Sequence, residues 1–324
     1  MKKWLTVFCA LLLLTGCARE EKTTQEFFAM DTVISLTVWD SNAAEEMRLA
    51  ADILRDLESR LSVTREDSEV AQLNAAGEAE LSDETAALLA RALELERQTG
   101  GACSPALYTL TSLWGFTAEE PRVPAAEDIE AALASIAAGG VSLEGNRVAL
   151  EGTALDFGAF AKGYAAQRIA EELGDVPAVL SLGGNVQTVG QKPDGTPWQI
   201  GIKDPRDQTR NVGVLSLGEA AVVTSGGYQR YFEEDGVRYI HILDPQTGYP
   251  VDNDLASVTI VSADGLLADA YSTALYVMGF DAAVDFWREQ SGFEAVFVLE
   301  DGAVFATEGL AECFECNKFT VVSR

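Results

Sequence analysis

The residues best suited to chemistry in this 324-residue chain fall in three short stretches. His241-Ile-Leu-Asp-Pro-Gln-Thr-Gly-Tyr-Pro250 holds the only histidine of the sequence. A neutral imidazole accepts protons near physiological pH, and a Pro-bracketed turn can aim it, although such a turn is also compatible with a purely structural histidine. Asp269-Ala-Tyr-Ser-Thr273 sets a carboxylate and a hydroxyl four residues apart, on one face of a helix. Two hard oxygens so placed can serve Mg²⁺, which keeps several waters and shares substrate phosphates. The same spacing also fits an ordinary helix whose threonine bonds back to its own backbone. Asp156-Phe-Gly-Ala-Phe-Ala-Lys-Gly-Tyr164 turns a glycine-rich segment into a helix beginning near Phe160. Free backbone amides at that entry, beside Lys162, suit a phosphate- or ribose-bearing ligand. The spacing matches neither the P-loop nor the dinucleotide fingerprint.

These stretches need a frame. Ile34, Leu36 and Val38 alternate with polar residues, so Phe27 to Trp39 reads as one strand with a half-buried face. Met47, Ala50, Leu54, Leu57 and Leu61 recur at helical spacing, which predicts an amphipathic helix over Ala43 to Leu61. Asp67 or Ser68 caps a short helix and Ser82 the next, whose end Gly100-Gly101 marks. Leu113-Trp-Gly-Phe116 is core material. Thr117 to Ala126 reads as a surface excursion before a helix over Glu127 to Ala138, and a hairpin follows over Val141 to Leu150. From Ala178 to Leu243, short β-type runs are joined by turns with no helix between them. A helix over Asp264 to Met278 and a hairpin around Asp301-Gly302 complete the pattern. This order predicts an α+β fold, largely antiparallel sheets with packed helices.

The N-terminus has Lys2 and Lys3, an apolar run from Trp4 to Leu14, and Leu14-Thr15-Gly16-Cys17, the regions of a signal peptide ending in a lipobox. The run is too short for a lasting transmembrane helix. The expected organisation is a signal peptide over 1–16, a tether over 17–26 lipidated at Cys17, and a single domain over 27–324. Acyl chains contribute about 0.8 kcal/mol per buried methylene, enough to anchor the protein extracytoplasmically on the membrane. The formal charge of −28, about −30 without Lys2 and Lys3, argues against nucleic acid as a partner and requires a cation to help hold any phosphate ligand. Cys313 and Cys316 have CxxC spacing, but no second pair exists to complete a zinc site, so they read as structural or incidental.

Six blocks, in order, resemble the FAD:protein FMN transferase family, the ApbE-type flavin transferases. They are Met30-Asp-Thr32, Ser68 to Asn74, Gly101 to Phe116, Asp156 to Tyr164 with Ser181-Leu-Gly-Gly184, Thr224-Ser-Gly226 with His241 to Pro250, and Asp269 to Gly279. The resemblance implies an exported, often lipid-anchored protein with a T-fold-related architecture that uses Mg²⁺ and takes FAD as substrate. It also implies transfer of FMN to a Thr or Ser hydroxyl in the flavinylation motif of an exported or membrane partner, with release of AMP. Asp269 and Thr273 would hold the metal, with the Ala159 carbonyl and Ser272. Met30, Asp156, Lys162 and the backbone of Ser104, Pro105 and Ala106 would line the FAD site. Gly183 and Gly184 would admit the ligand closely, and His241 would lie near the reacting phosphate. The chain departs from the family at Ser104 and Gln167, where an Asp is common, and at Thr64, where an aromatic often stacks on the ligand. Two rival readings stand beside this one: hydrolysis of FAD to FMN and AMP at the same site, and a non-catalytic flavin- or solute-binding lipoprotein, which the lipobox fits equally well but which has no need of a metal pair on a helix.

Overall fold

The computed structural model describes residues 22–116 and 121–324. The chain begins with strands β1 (Lys22–Ala29) and β2 (Thr32–Trp39), helices α1 (Ala43–Leu61) and α2 (Glu69–Ala76), and strand β3 (Glu78–Glu80). Helices α3 (Asp83–Gln98), α4 (Tyr108–Trp114) and α5 (Ala126–Ala138) lead to the hairpin β4 (Gly140–Glu144) and β5 (Arg147–Glu151), then α6 (Ala161–Leu173). The strands β6 (Ala178–Leu182), β7 (Asn185–Val189), β8 (Trp198–Asp204), β9 (Asp207–Leu217), β10 (Ala220–Gly226), β11 (Tyr231–Glu234) and β12 (Val237–Ile240) follow. The chain ends with β13 (Leu255–Ser262), α7 (Gly265–Met278), α8 (Phe280–Glu289), β14 (Phe293–Leu299), β15 (Val304–Thr307), β16 (Phe314–Cys316) and β17 (Thr320–Val322).

Among the described residues, the main sheet runs β1-β2-β6-β7-β10-β13-β14-β15-β17. Its pairs are antiparallel except β15 with β17. Side chains alternate across a strand, and here the alternation divides two cores. On β14, Ala295 and Phe297 join the core beneath the helices, while Val296 and Val298 join one shared with Trp198, Ile200 and Leu215 of the small sheet β16-β9-β8. A strand covered on both faces must be apolar nearly throughout, and every position of β13 is buried. Helix α7 packs on β10, β13 and α6, with Ala268, Ala270, Ala274 and Leu275 fully enclosed. The observed architecture is the largely antiparallel α+β arrangement that the sequence predicts.

Several local expectations change. Phe27 to Trp39 is not one strand: Met30 and Asp31, at φ 51° and 58°, fold it into a hairpin. Neither residue is a Gly or Asn, so the usual turn signal is missing. Strand β1 begins at Lys22, so residues 22–26 pair with β2 and do not belong to the expected tether over 17–26. The expected signal segment 1–16, Cys17 and the tether up to Glu21 lie outside the described residues, as do residues 117–120 of the expected surface excursion. Strand β13, unbroken by alternation, was not foreseen, nor were α4, α8, β11, β16 and β17. The run through Leu243 ends as a strand at Ile240, and Leu243 makes only an isolated bridge with Pro250. Cys313 and Cys316 are unpaired thiols with partial exposure.

Candidate active site

The three chemical stretches meet at a cleft of about 430 Å³. Its walls are the β1–β2 turn, the Gly183 turn between β6 and β7, the start of α6, one face of α7 and the base of the β11–β12 hairpin. A second lobe of about 280 Å³ adjoins it and shares Met30, Asp31, Asp156, Gly158 and Lys162. Thr64 lines this second lobe and not the first.

Helix α7 starts where Asp264 accepts the Leu267 N–H at 2.8 Å, which sets the helix phase. Asp269 and Thr273 consequently lie one turn apart and both line the main cleft. Asp269 is only 4% exposed, and its Oδ2 accepts the Gly163 N–H at 2.8 Å. That bond replaces the helical one back to Ala159, so the Ala159 carbonyl is left available on the same cleft. Helices α6 and α7 approach closely enough for this because Gly163 and Gly265 face each other: a Cβ on Gly163 would lie 2.2 Å from the Gly265 carbonyl oxygen. The donors gathered here are oxygens with one negative charge among them, a set that fits Mg²⁺ and leaves positions for water and phosphate. Ser272 does not join them. It is fully buried, donates to the Asp269 carbonyl at 2.9 Å and sits 2.9 Å from the Ser225 hydroxyl, away from the cleft lining. At i+3 from Asp269 it falls on the flank of the helix facing β10, where these two partners hold its hydroxyl.

Asp156 accepts the Gly158 N–H at 2.8 Å and the Thr111 hydroxyl at 3.4 Å. Burial pushes its carboxyl up from the ordinary range, opposed by these hydrogen bonds and by the charges of Lys162 and Arg230. Lys162 donates to the Gly158 carbonyl at 3.0 Å, which folds the glycine-rich entry over the helix start. Ser104 lines the cleft and caps the Ala106 N–H at 3.0 Å. Pro105 and Ala106 are buried behind it, where their carbonyls accept the Asp156 N–H and the Thr153 hydroxyl. They back the wall that Ser104 lines.

His241 lines the cleft with its Nδ1 3.1 Å from the Arg230 carbonyl oxygen. A carbonyl only accepts, so Nδ1 carries the proton and Nε2 keeps its lone pair. Desolvation, then the Arg230 charge, lowers the imidazole to about 4, so it is neutral at pH 7. Gly183 lines the cleft at φ 56°, but the space over its missing Cβ belongs to Thr32, whose Oγ1 would be 2.3 Å away. Gly184 is backed by Gln229 and does not line the cleft. Both glycines permit close packing between turns.

The cleft also contains residues that sequence reasoning did not single out. Asn185, the first residue of β7, is 3% exposed, and its Nδ2 has no hydrogen-bond partner. A buried, unsatisfied amide at a cleft wall fits a polar ligand. Asp31, Thr111, Ser225 and Arg230 line the same space. The Gly183-Gly184-Asn185 turn was the available signal for Asn185. Asp31, Thr111 and Ser225 lie inside quoted blocks that gave them no role, and Arg230 lies in none of the blocks.

The sequence profile described as the ApbE family matches residues 30–297. The FAD:protein FMN transferase of Treponema pallidum is 33% identical over 94% of this chain and 92% of its own length. That of Klebsiella pneumoniae is 35% identical over 84% and 87%. The crystal structure of an ApbE protein from Thermotoga maritima superposes with a TM-score of 0.84 at 35% identity, covering 89% of this chain and 98% of that one.

Proposed function

The chain belongs to the ApbE family, and from that premise we propose that it transfers the FMN half of FAD to a Thr or Ser hydroxyl of a partner protein and releases AMP. The observation that carries this reading is the convergence in one cleft of the Asp269, Thr273 and Ala159 oxygens, the neutral His241 and the cations Lys162 and Arg230. Mg²⁺ held by those three oxygens would neutralise charge on the pyrophosphate, which the net charge of −28 otherwise disfavours.

The chain's own groups then position the reaction. Lys162, from the start of α6, and Arg230, from the base of the β11–β12 hairpin, bring positive charge to the cleft, and the unsatisfied Asn185 amide can donate to the ligand. The acceptor hydroxyl oxygen attacks the phosphorus of the FMN phosphate, and the bond from that phosphorus to the bridging oxygen breaks. The bridging oxygen leaves with AMP, and His241 Nε2 takes the hydroxyl proton. An imidazole near 4 is a weak base, depressed first by burial and then by the charges of Arg230 and Lys162. Bound phosphates offset those cations and raise its basicity when it is needed. The two adjoining lobes give a dinucleotide room for its two halves.

In the same reading the protein works outside the cytoplasm, held on the membrane by acyl chains on Cys17. The lysines, apolar run and small residues that precede Cys17 support this placement. Incubation with FAD, Mg²⁺ and an acceptor protein tests the proposal. A fluorescent flavin band on a denaturing gel, with equimolar AMP, is expected. AMP release without labelled protein would assign the site to FAD hydrolysis instead.

A further inference from the structure

Arg230 stands at the base of the β11–β12 hairpin and lines the main cleft. Its backbone is committed to the imidazole: the carbonyl accepts the His241 N–H and the His241 Nδ1–H, each at 3.1 Å. Its guanidinium is committed elsewhere. It reaches across to the carboxylate of Asp31, 199 residues earlier in the chain. Asp31 occupies the tip of the β1–β2 turn at φ 58° and lines both lobes. The turn is fixed from below, where the Met30 N–H donates to Glu58 Oε1 at 3.0 Å. An ion pair with side chains 39% and 68% exposed is held weakly against water and salt. A pyrophosphate brings more charge and several oxygens that match the guanidinium fork. The guanidinium already acts within the site, because together with Lys162 it influences both Asp156 and His241.

We propose that Arg230 is a ligand for the pyrophosphate of the bound dinucleotide, and that Asp31 parks its guanidinium until the phosphates arrive. One residue then links two events, since the backbone carbonyl that fixes the His241 tautomer belongs to the same residue whose side chain takes the phosphate. This inference rests on the reading of FAD as the substrate.

Equilibrium binding to the full chain, without an acceptor and with or without Mg²⁺, separates the two. Flavin fluorescence reports FAD and riboflavin, and ADP is measured by competition. Arg230→Gln is expected to weaken FAD and ADP binding by about ten- to a hundredfold, the loss of one charge-assisted contact. Riboflavin, which has no phosphate, is expected to bind both forms equally. Asp31→Asn frees the guanidinium and is expected to tighten FAD binding severalfold. Wild-type protein that binds no FAD under either condition would overturn the function and this inference with it. FAD binding that is unchanged in Arg230→Gln would overturn this inference alone. So would an Asp31→Asn variant that weakens binding as much as Arg230→Gln, because the pair would then be a structural strut.

Discussion

Replacing Gly163 by alanine sets helix propensity against packing, and the structure decides the sign. Alanine is favoured over glycine within a helix by about 0.5–1 kcal/mol, and near the start of α6 this gain is an upper bound. The new Cβ would lie 2.2 Å from the Gly265 carbonyl oxygen and 2.6 Å from the Asp269 Cβ. Neither atom is the end of a flexible side chain, so α6 and α7 must separate. Overpacking of this kind costs about 1–3 kcal/mol. The shift also loosens the 2.8 Å bond from the Gly163 N–H to Asp269, a hydrogen bond to a charged acceptor worth about 1.5–3 kcal/mol. The net expectation is a destabilisation of about 2–4 kcal/mol, read as a lower urea midpoint at unchanged slope. Turnover is expected to fall further than stability does, because Asp269 and the Ala159 carbonyl are displaced together. A Gly163→Ala variant as stable and as active as the wild type would refute the argument that this glycine pair sets the metal-facing geometry.

Asp269→Asn retains an acceptor for the Gly163 N–H but removes the charge. It is expected to lower Mg²⁺-dependent turnover by about 10²–10³-fold in a folded protein, and full activity in chelator-treated buffer would remove the metal assignment. Because His241 must be neutral to accept a proton, activity falls as pH drops through its pKa. The acidic limb of kcat/KM is therefore expected near pH 4 for the free protein, and at higher pH for kcat, where bound phosphate offsets Arg230 and Lys162. The same depressed value makes the unfolded chain take up this proton first. Stability is full above about pH 6.5 and declines towards pH 4 by up to about 3 kcal/mol before solvent screening, a loss that His241→Gln, compared by denaturant titration, is expected to lack. Trp114→Ala removes a fully buried ring that donates to the Gly248 carbonyl at 2.9 Å and packs against Phe232 and Tyr239 of the hairpin. A loss of about 3–5 kcal/mol in denaturant unfolding is expected, with reduced turnover as Arg230 and His241 lose their support.

Where local chemistry decides the outcome, the sequence was sufficient. The span of α1, the Ser82 cap, and the alternation of β6 and β8 follow from periodicity and capping alone, while the structure chooses Ser68 over Asp67 as the cap of α2. The pairing of Asp269 with Thr273 follows from the 3.6-residue period. The order of blocks was specific enough to indicate the family to which the chain belongs.

Other features depend on contacts between distant segments. Strand β13 carries no alternation because both its faces are covered, and that coverage exists only once the small sheet and the helices have packed. The Met30-Asp31 turn has no glycine, so its left-handed backbone is imposed by strand pairing and by Glu58 rather than by residue preference. The Ser272 hydroxyl is engaged by Ser225 and the Asp269 carbonyl, and Gly184 is filled from behind by Gln229. The meeting of Arg230 with Asp31, 199 residues away, is invisible to any local pattern. Sequence period and capping determine which way a side chain faces along its own element, while only the packed sheet and helices determine what stands opposite it. For this protein the first sufficed to point to groups suited to the proposed chemistry, and the second decided which of them share the cleft.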